Sequence, residues 1–91
     1  MLLDVARSAL RLTTEALDEE LTEEVEACLR RLHLSGVDGE REDPLVREAV
    51  RAYVRWQHDF CGKGAEWEKC FEGLRDSMAL AKEYRRGDGT T

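Results

Sequence analysis

The segment most informative about the architecture reads DPLVREAVRAYVRW, from Asp43 to Trp56. Asp43 is a favourable N-cap, and Pro44 suits the first helical turn because its missing N–H leaves no hydrogen bond unmade. Side chains then recur at the three- and four-residue spacing of one helical face: Val46, Ala49, Val50, Tyr53, Val54 and Gln57. Leu45, Ala52 and Trp56 widen this apolar face to roughly 200°. A face this wide predicts a central helix with neighbours on at least two sides.

Three further amphipathic segments complete an expected all-α bundle of four main helices. The four helices are predicted at residues 2–12, 15–34, 44–58 and 65–85, with Thr14 as the N-cap of the second helix and Gly36 beyond its end. The apolar stripe of the second helix consists of Leu17, Leu21, Val25, Cys28, Leu29 and Leu32. That of the fourth consists of Trp67, Cys70, Phe71, Leu74, Met78 and Ala81. Residues 1–86 are expected to form one helical domain, followed by a tail at 87–91.

Length and composition restrict the function classes. The chain has 91 residues, of which 37% are charged and 42% hydrophobic, a composition typical of one folded domain. No apolar run approaches a membrane span, and the start lacks the features of a signal peptide, so we expect assembly in the cytoplasm and no membrane partner. Three cysteines at irregular spacing indicate reduced thiols. A net charge of −6 argues against a protein that clamps nucleic-acid phosphates.

Charge is distributed unevenly along the chain. Residues 15–43 contain eleven acidic and three basic residues, a net charge of −8, whereas the remainder contains nine acidic and eleven basic residues, a net charge of +2. Two interpretations stay open: oppositely charged faces that pair between copies of the chain, or an acidic helix face that is simply solvated. Likewise, the row Arg47, Arg51 and Arg55 is either a polar helix edge or a contact strip for a neighbour's acidic helix.

The sequence predicts neither an enzyme nor a metal or cofactor site. A metal site can be drawn from His58, Cys61 and Cys70, with His33 or Cys28 as a fourth ligand. Their spacing matches no compact zinc module, and Cys28 and Cys70 lie on apolar stripes. Neither histidine is tied to a nucleophile, and the glutamates of the second helix are patterned like a solvated surface. The chain has no Gly-rich phosphate loop.

Several short motifs occur in a defined order. The most telling are Asp43-Pro44-Leu45-Val46, Tyr53-Val54-Arg55 and Glu83-Tyr84-Arg85. They are accompanied by Leu10-Arg11-Leu12, Asp18-Glu19-Glu20-Leu21, Leu34-Ser35-Gly36-Val37 and Met78-Ala79-Leu80. In this order and spacing, over about residues 2–86, the chain resembles the head–tail connector (adaptor) proteins of tailed double-stranded-DNA bacteriophages, also labelled phage DNA-packaging proteins.

The resemblance implies a helical subunit that forms a ring, twelvefold to match the portal protein, at the virion neck. Such a ring extends the DNA channel, lets double-stranded DNA pass without sequence-specific binding and provides a platform for a stopper or tail-completion protein. The expected subunit or portal contacts are Arg47, Arg51, Arg55, Trp56, Tyr84 and Arg85. The acids expected to face the lumen or a neighbour's arginines are Glu19, Glu23 and Glu26. The loop from Phe60 to Trp67 departs from the family's pattern.

Other classes of protein remain as alternatives. The first is a small soluble helical interaction or regulatory domain without a virion role. A DNA-binding module would need a recognition helix, and the segment from Arg47 to Arg55 lacks the polar base-reading side chains of one. A small thiol or metal enzyme is the third. Wide apolar faces favour the ring, because a lone chain of this size buries only about 60–65% of its unfolded surface.

Overall fold

The chain folds as a helical bundle. The computed structural model describes residues 2–38, 44–81 and 84. Its elements are α1 (Leu2–Ala9), α2 (Asp18–Leu34), α3 (Pro44–Gln57), a 3-10 turn (Phe60–Gly62) and α4 (Gly64–Leu80). No β-strand occurs in these residues. The predicted all-α bundle of four main helices is therefore confirmed. Asp43, Arg85 and the tail at 87–91 lie outside the described residues.

The central position predicted for α3 is confirmed. This helix packs against α1, α2 and α4. It buries Val46, Ala49, Val50, Ala52, Tyr53 and Val54. The core is completed by side chains from the other elements, among them Leu21, Val25, Cys28 and Leu32 of α2, Phe71 and Met78 of α4, and Tyr84. Three neighbouring helices thus cover the wide apolar face of α3.

The apolar surface is largely satisfied within one chain. Among the described residues, the large hydrophobic side chains that stay exposed are Leu34, at 72%, and Leu80, at 80%. The expectation that these helices carry more apolar surface than one subunit can bury is therefore wrong for the described part of the chain. The physical reason is that a helix with three neighbours can bury an arc that would be excessive for a helix packed on one side.

The first helix ends three residues earlier than the predicted 2–12. Arg11 adopts a left-handed φ of 59°. Its N–H donates to the carbonyl of Ser8 at 3.0 Å, and the Leu12 N–H donates to the carbonyl of Arg7 at 2.9 Å. This is the hydrogen-bond pattern of a Schellman C-cap. This helix end could not be predicted from residue types, because the left-handed position holds arginine instead of glycine.

Helix α2 begins at Asp18, and the prediction that Thr14 caps it is wrong. Its N-cap is Leu17, which makes no side-chain capping bond. The Thr14 hydroxyl instead accepts a hydrogen bond from the Ala16 N–H at 3.3 Å, within the turn before the helix. The prediction that Gly36 lies just beyond the end of α2 is confirmed. Gly36 has a φ of +88°, and its N–H donates to the His33 carbonyl at 2.9 Å. Gly36 therefore ends α2 as expected.

An arginine–carboxylate pair joins α1 to the start of α2. The Nε of Arg7 donates to Oδ1 of Asp18 at 2.7 Å, and Nη2 donates to Oδ2 at 2.5 Å. This paired contact holds the pKa of the Asp18 carboxyl below its usual range. Asp18 therefore positions the helix start through its side chain.

The last helix is shorter than the predicted 65–85. It ends at Leu80, and Ala81 is extended, with φ −85° and ψ 124°. Tyr84 returns to the core and is 9% exposed. Its carbonyl accepts a hydrogen bond from the Asp38 N–H at 2.6 Å, which ties the segment after α4 to the segment after α2. The break in the helix thus allows Tyr84 to close the core.

Candidate functional site

Two surfaces of the bundle carry the residues predicted to act in assembly, and a third group of polar side chains was not predicted. The first surface is the α3 arginine row with its aromatic neighbours. The second is the acidic face of α2. The third is a cluster of two glutamates and a histidine where the N-terminal half of α2 passes the C-terminal end of α3.

The three arginines of α3 differ in their availability. Arg47 is exposed, whereas Arg51 and Arg55 are half-buried. The Nε of Arg55 donates to the Ala9 carbonyl at 3.0 Å. Its guanidinium also lies over the Trp67 ring at 4.8 Å and the Phe60 ring at 5.5 Å, distances typical of cation–π contacts. Arg55 therefore links α1, α3 and the start of α4 within the chain, and Arg47 is the arginine of this row that faces solvent most fully.

A shallow groove runs beside this row between α3 and α4. It is lined by Glu48, Arg51, Ala52, Arg55, Trp67, Cys70 and Leu74. The indole N–H of Trp67 is buried and has no hydrogen-bond partner among the described residues. Buried indole N–H groups are normally paired, so this one weakens the packing of Trp67.

Trp56, a predicted contact residue, is half-buried in an aromatic cluster. Its ring centroid lies 5.5 Å from that of Tyr53 and 6.1 Å from that of Phe71. The guanidinium of Arg31, on α2, lies 5.5 Å from the Trp56 ring and 5.7 Å from the Tyr53 ring. Trp56 therefore makes ring contacts within the chain, and Tyr84 is buried in its core.

The acids predicted to face a lumen or a neighbour lie together on one exposed face. Glu19, Glu23 and Glu26 are spaced at i, i+4 and i+7 on α2, and all three are exposed. The buried stripe of Leu21, Val25, Cys28 and Leu32 occupies the opposite side. We call these three glutamates the anionic face. It is a continuous row of negative charge directed away from the core.

Glu24 departs from the solvated pattern predicted for the α2 glutamates. Both of its carboxylate oxygens lie 2.9 Å from Nε2 of His58, and its side chain is 19% exposed. Oε2 of Glu20 lies 3.5 Å from the same nitrogen. Burial raises the pKa of the Glu24 carboxyl, the charge of His58 opposes this shift, and Glu20 adds to it. We call Glu20, Glu24 and His58 the carboxylate–histidine cluster.

This cluster could be found only in part from the sequence. Glu20 and Glu24 are one helical turn apart, which places them on the same edge of α2. Their meeting with His58 depends on the antiparallel packing of α2 and α3, which no local pattern encodes. The metal ligands suggested by the sequence do not meet one another in the described chain. His58 joins Glu20 and Glu24 instead, Cys28 is buried, Cys61 and Cys70 are exposed, and none of these cysteines joins a converging group of ligands.

Comparison of the chain with family models, with curated proteins and with solved structures returned no match. Across the described residues, none of the helices has the length and apolar character that a membrane crossing requires. What the geometry defines is thus a helical bundle with a buried core, an anionic face and a polar cluster that joins α2 to the residue after α3.

Proposed function

We propose that this protein is a structural head–tail connector of a tailed double-stranded-DNA phage. In this role it forms a ring beneath the portal, extends the DNA channel and offers a docking platform to the next neck or tail protein. The proposal starts from the order of motifs that resembles this family. It places the protein at the virion neck, after assembly in the host cytoplasm, with no catalytic activity.

The anionic face of α2 is the observation that carries the proposal. Glu19, Glu23 and Glu26 are exposed and lie opposite the buried stripe, so a lone subunit leaves this row uncovered. In a ring the row would face either the channel or the basic residues of the next subunit, of which Arg47 is the most exposed in α3. A negative lumen would repel DNA phosphates and let the duplex slide without sticking.

A direct test measures the mass of the full-length protein, alone and mixed with its portal, by light scattering coupled to size exclusion, and images the particles by negative-stain microscopy. Twelve copies of the 10.4 kDa chain would weigh about 125 kDa. Rings, formed either alone or on the portal, support the proposal. A particle that stays monomeric or dimeric at every concentration and ignores the portal contradicts it.

Charge reversal tests the part assigned to the anionic face. Glu23→Lys combined with Glu26→Lys should abolish ring formation or DNA retention, because it reverses the row without touching the first helical turn. Glu66→Lys combined with Asp76→Lys changes the net charge equally on exposed positions of α4 and serves as the control. If both pairs behave alike, the anionic face has no specific role. Circular dichroism of both variants verifies that each one folds.

A second candidate function is favoured by the internal burial of the apolar faces. Because α1, α2 and α4 cover the apolar face of α3, the core is buried within one chain, as expected of a small domain that folds as a monomer. Such a domain would serve as a helical interaction module without a virion role. The mass measurement separates the two candidates, since this module stays at 10.4 kDa in the presence of the portal.

A further inference from the structure

We propose that Glu20, Glu24 and His58 form a binding site for a divalent transition-metal ion, best suited to Zn²⁺, that bridges α2 and the end of α3. Each residue offers one ligand atom, and these atoms lie within 4.8 Å of one another. Two carboxylates and one imidazole are a ligand set that zinc accepts in proteins. The site is independent of the proposed connector role.

The spacing of the ligand atoms suits a small ion. Tetrahedral zinc with bonds of about 2.0–2.1 Å keeps neighbouring donor atoms about 3.3 Å apart. In the structure, Nε2 of His58 lies 2.9 Å from the Glu24 oxygens and 3.5 Å from Oε2 of Glu20. These two separations bracket the value for zinc, and all three ligand atoms lie within 4.8 Å of one another, so the ion would be seated by drawing the side chains together. Water would take the remaining position, because the Glu20 side chain is 56% exposed.

The charges of the cluster also favour a cation. Two carboxylates act on each other here, and His58 is the basic side chain that offsets the charge of Glu24. Partial burial of Glu24 weakens the screening of this repulsion by water. A dication would neutralise both carboxylates, and His58 would bind it through the neutral imidazole. An ordinary His–Glu ion pair is the competing explanation, and it requires no metal.

The metal site would have a mechanical consequence. Glu20 and Glu24 belong to α2, whereas His58 directly follows α3. An ion shared by these ligands would cross-link two helices that also meet through apolar packing and through the contacts of Arg31 with Trp56 and Tyr53. Because the unfolded chain does not hold the three ligands together, zinc would bind the folded state preferentially and stabilise it.

The experiment titrates the reduced full-length protein with Zn²⁺ alone, in competition with a chromogenic chelator, and records its thermal unfolding. One equivalent is expected to bind. At about 100 times the dissociation constant, zinc should raise the melting temperature by on the order of 10 °C. Glu20→Gln and His58→Gln should each weaken zinc binding by at least about tenfold. The matched controls Glu23→Gln and His33→Gln, both on α2, should leave it unchanged.

Co²⁺ supplies an independent readout, since a tetrahedral site gives intense visible bands that Glu20→Gln should remove. Equal zinc affinity in the wild type and in Glu20→Gln would overturn the proposal, and so would an absence of any thermal shift. Loss of binding in Cys61→Ser or Cys70→Ser would move the metal to the thiols and reject this site. Should His58→Gln fail to fold, Glu20→Gln still decides, because its side chain is largely exposed.

Discussion

The substitution of glycine by alanine is expected to change the stability of the protein in opposite directions at two positions of α4. Gly64 is buried at the start of the helix, and its N–H donates to Oδ1 of Asp59 at 2.7 Å. A Cβ at position 64 would stand 2.7 Å from the same oxygen, 3.3 Å from the Asp59 Cα and 3.4 Å from the Trp56 carbonyl oxygen. A Cβ at Gly73 meets nothing within 4 Å. Gly64→Ala should therefore destabilise the protein, and Gly73→Ala should stabilise it.

The magnitudes follow from three contributions. Gly64→Ala displaces the Asp59 carboxylate, which costs about 1 kcal/mol for the lost hydrogen bond to the Gly64 N–H and about 1–3 kcal/mol for overpacking. The better helix propensity of alanine returns about 1 kcal/mol. The net cost is about 1–3 kcal/mol. Gly73→Ala keeps only the favourable contribution of about 1 kcal/mol, so the free energies of unfolding of the two variants should differ by about 2–4 kcal/mol.

Urea unfolding followed by far-UV circular dichroism measures both variants against the wild type. Shifts of equal sign would refute the steric argument. A third variant locates the cause: Asp59 has a left-handed φ of 46°, so Asp59→Gly removes the carboxylate without straining the turn. In this background Gly64→Ala should cost less than it does in the wild type. An unchanged cost would show that the carboxylate plays no part.

Three further predictions concern other elements. Arg11→Gly should raise the free energy of unfolding by about 1 kcal/mol, because glycine adopts the left-handed conformation of this position without steric strain. Arg11→Ala keeps the strain and should give no such increase. Thermal unfolding of both variants measures the difference. In thiol-labelling kinetics, Cys61 and Cys70 should react in the native protein and Cys28 only after unfolding, because burial raises the pKa of Cys28 to about 12. The folded-state pKa of Asp18 lies below its ordinary value of 3.8, so its stabilisation is complete at neutral pH and is lost on acidification. Acid titrations of stability should therefore be flatter for Asp18→Asn than for the wild type below about pH 5.

The sequence predicted the helices well where side-chain periodicity dictates them. The start of α3 at Pro44 and the end of α2 before Gly36 follow from residue types whose backbone preferences are strong. The end of α1 could not be predicted, because Arg11 occupies a conformation that arginine rarely adopts. The end of α4 was missed since helical spacing continues past Leu80, and tertiary packing of Tyr84 breaks the pattern.

The candidate site, too, could be predicted only where the pattern of a single helix determines it. The anionic face was readable, because exposed acids opposite an apolar stripe need no tertiary information beyond the helix itself. The carboxylate–histidine cluster joins residues 34 positions apart and required the packing of α2 on α3. Spacing alone left two interpretations of the row that contains Arg55, a polar helix edge or a contact strip for a neighbour. In the structure Arg55 reaches the Ala9 carbonyl and two aromatic rings of its own chain. Long side chains at the edge of a helix therefore need the neighbouring elements before a role can be assigned.

The internal burial of α3 changes which force could hold a ring together. A specific interface buries about 800 Å² on each partner, far more than two exposed leucines, Leu34 and Leu80, can supply. Contacts between the anionic face and basic residues such as Arg47 would have to contribute much of the remainder. Interactions between exposed charges weaken as the Debye length falls from about 8 Å at physiological salt to about 3 Å at 1 M. A ring held by these charge contacts should dissociate in 1 M salt, whereas a ring held by apolar packing should persist. If the ring persists, the interface between copies does not depend on the anionic face of α2.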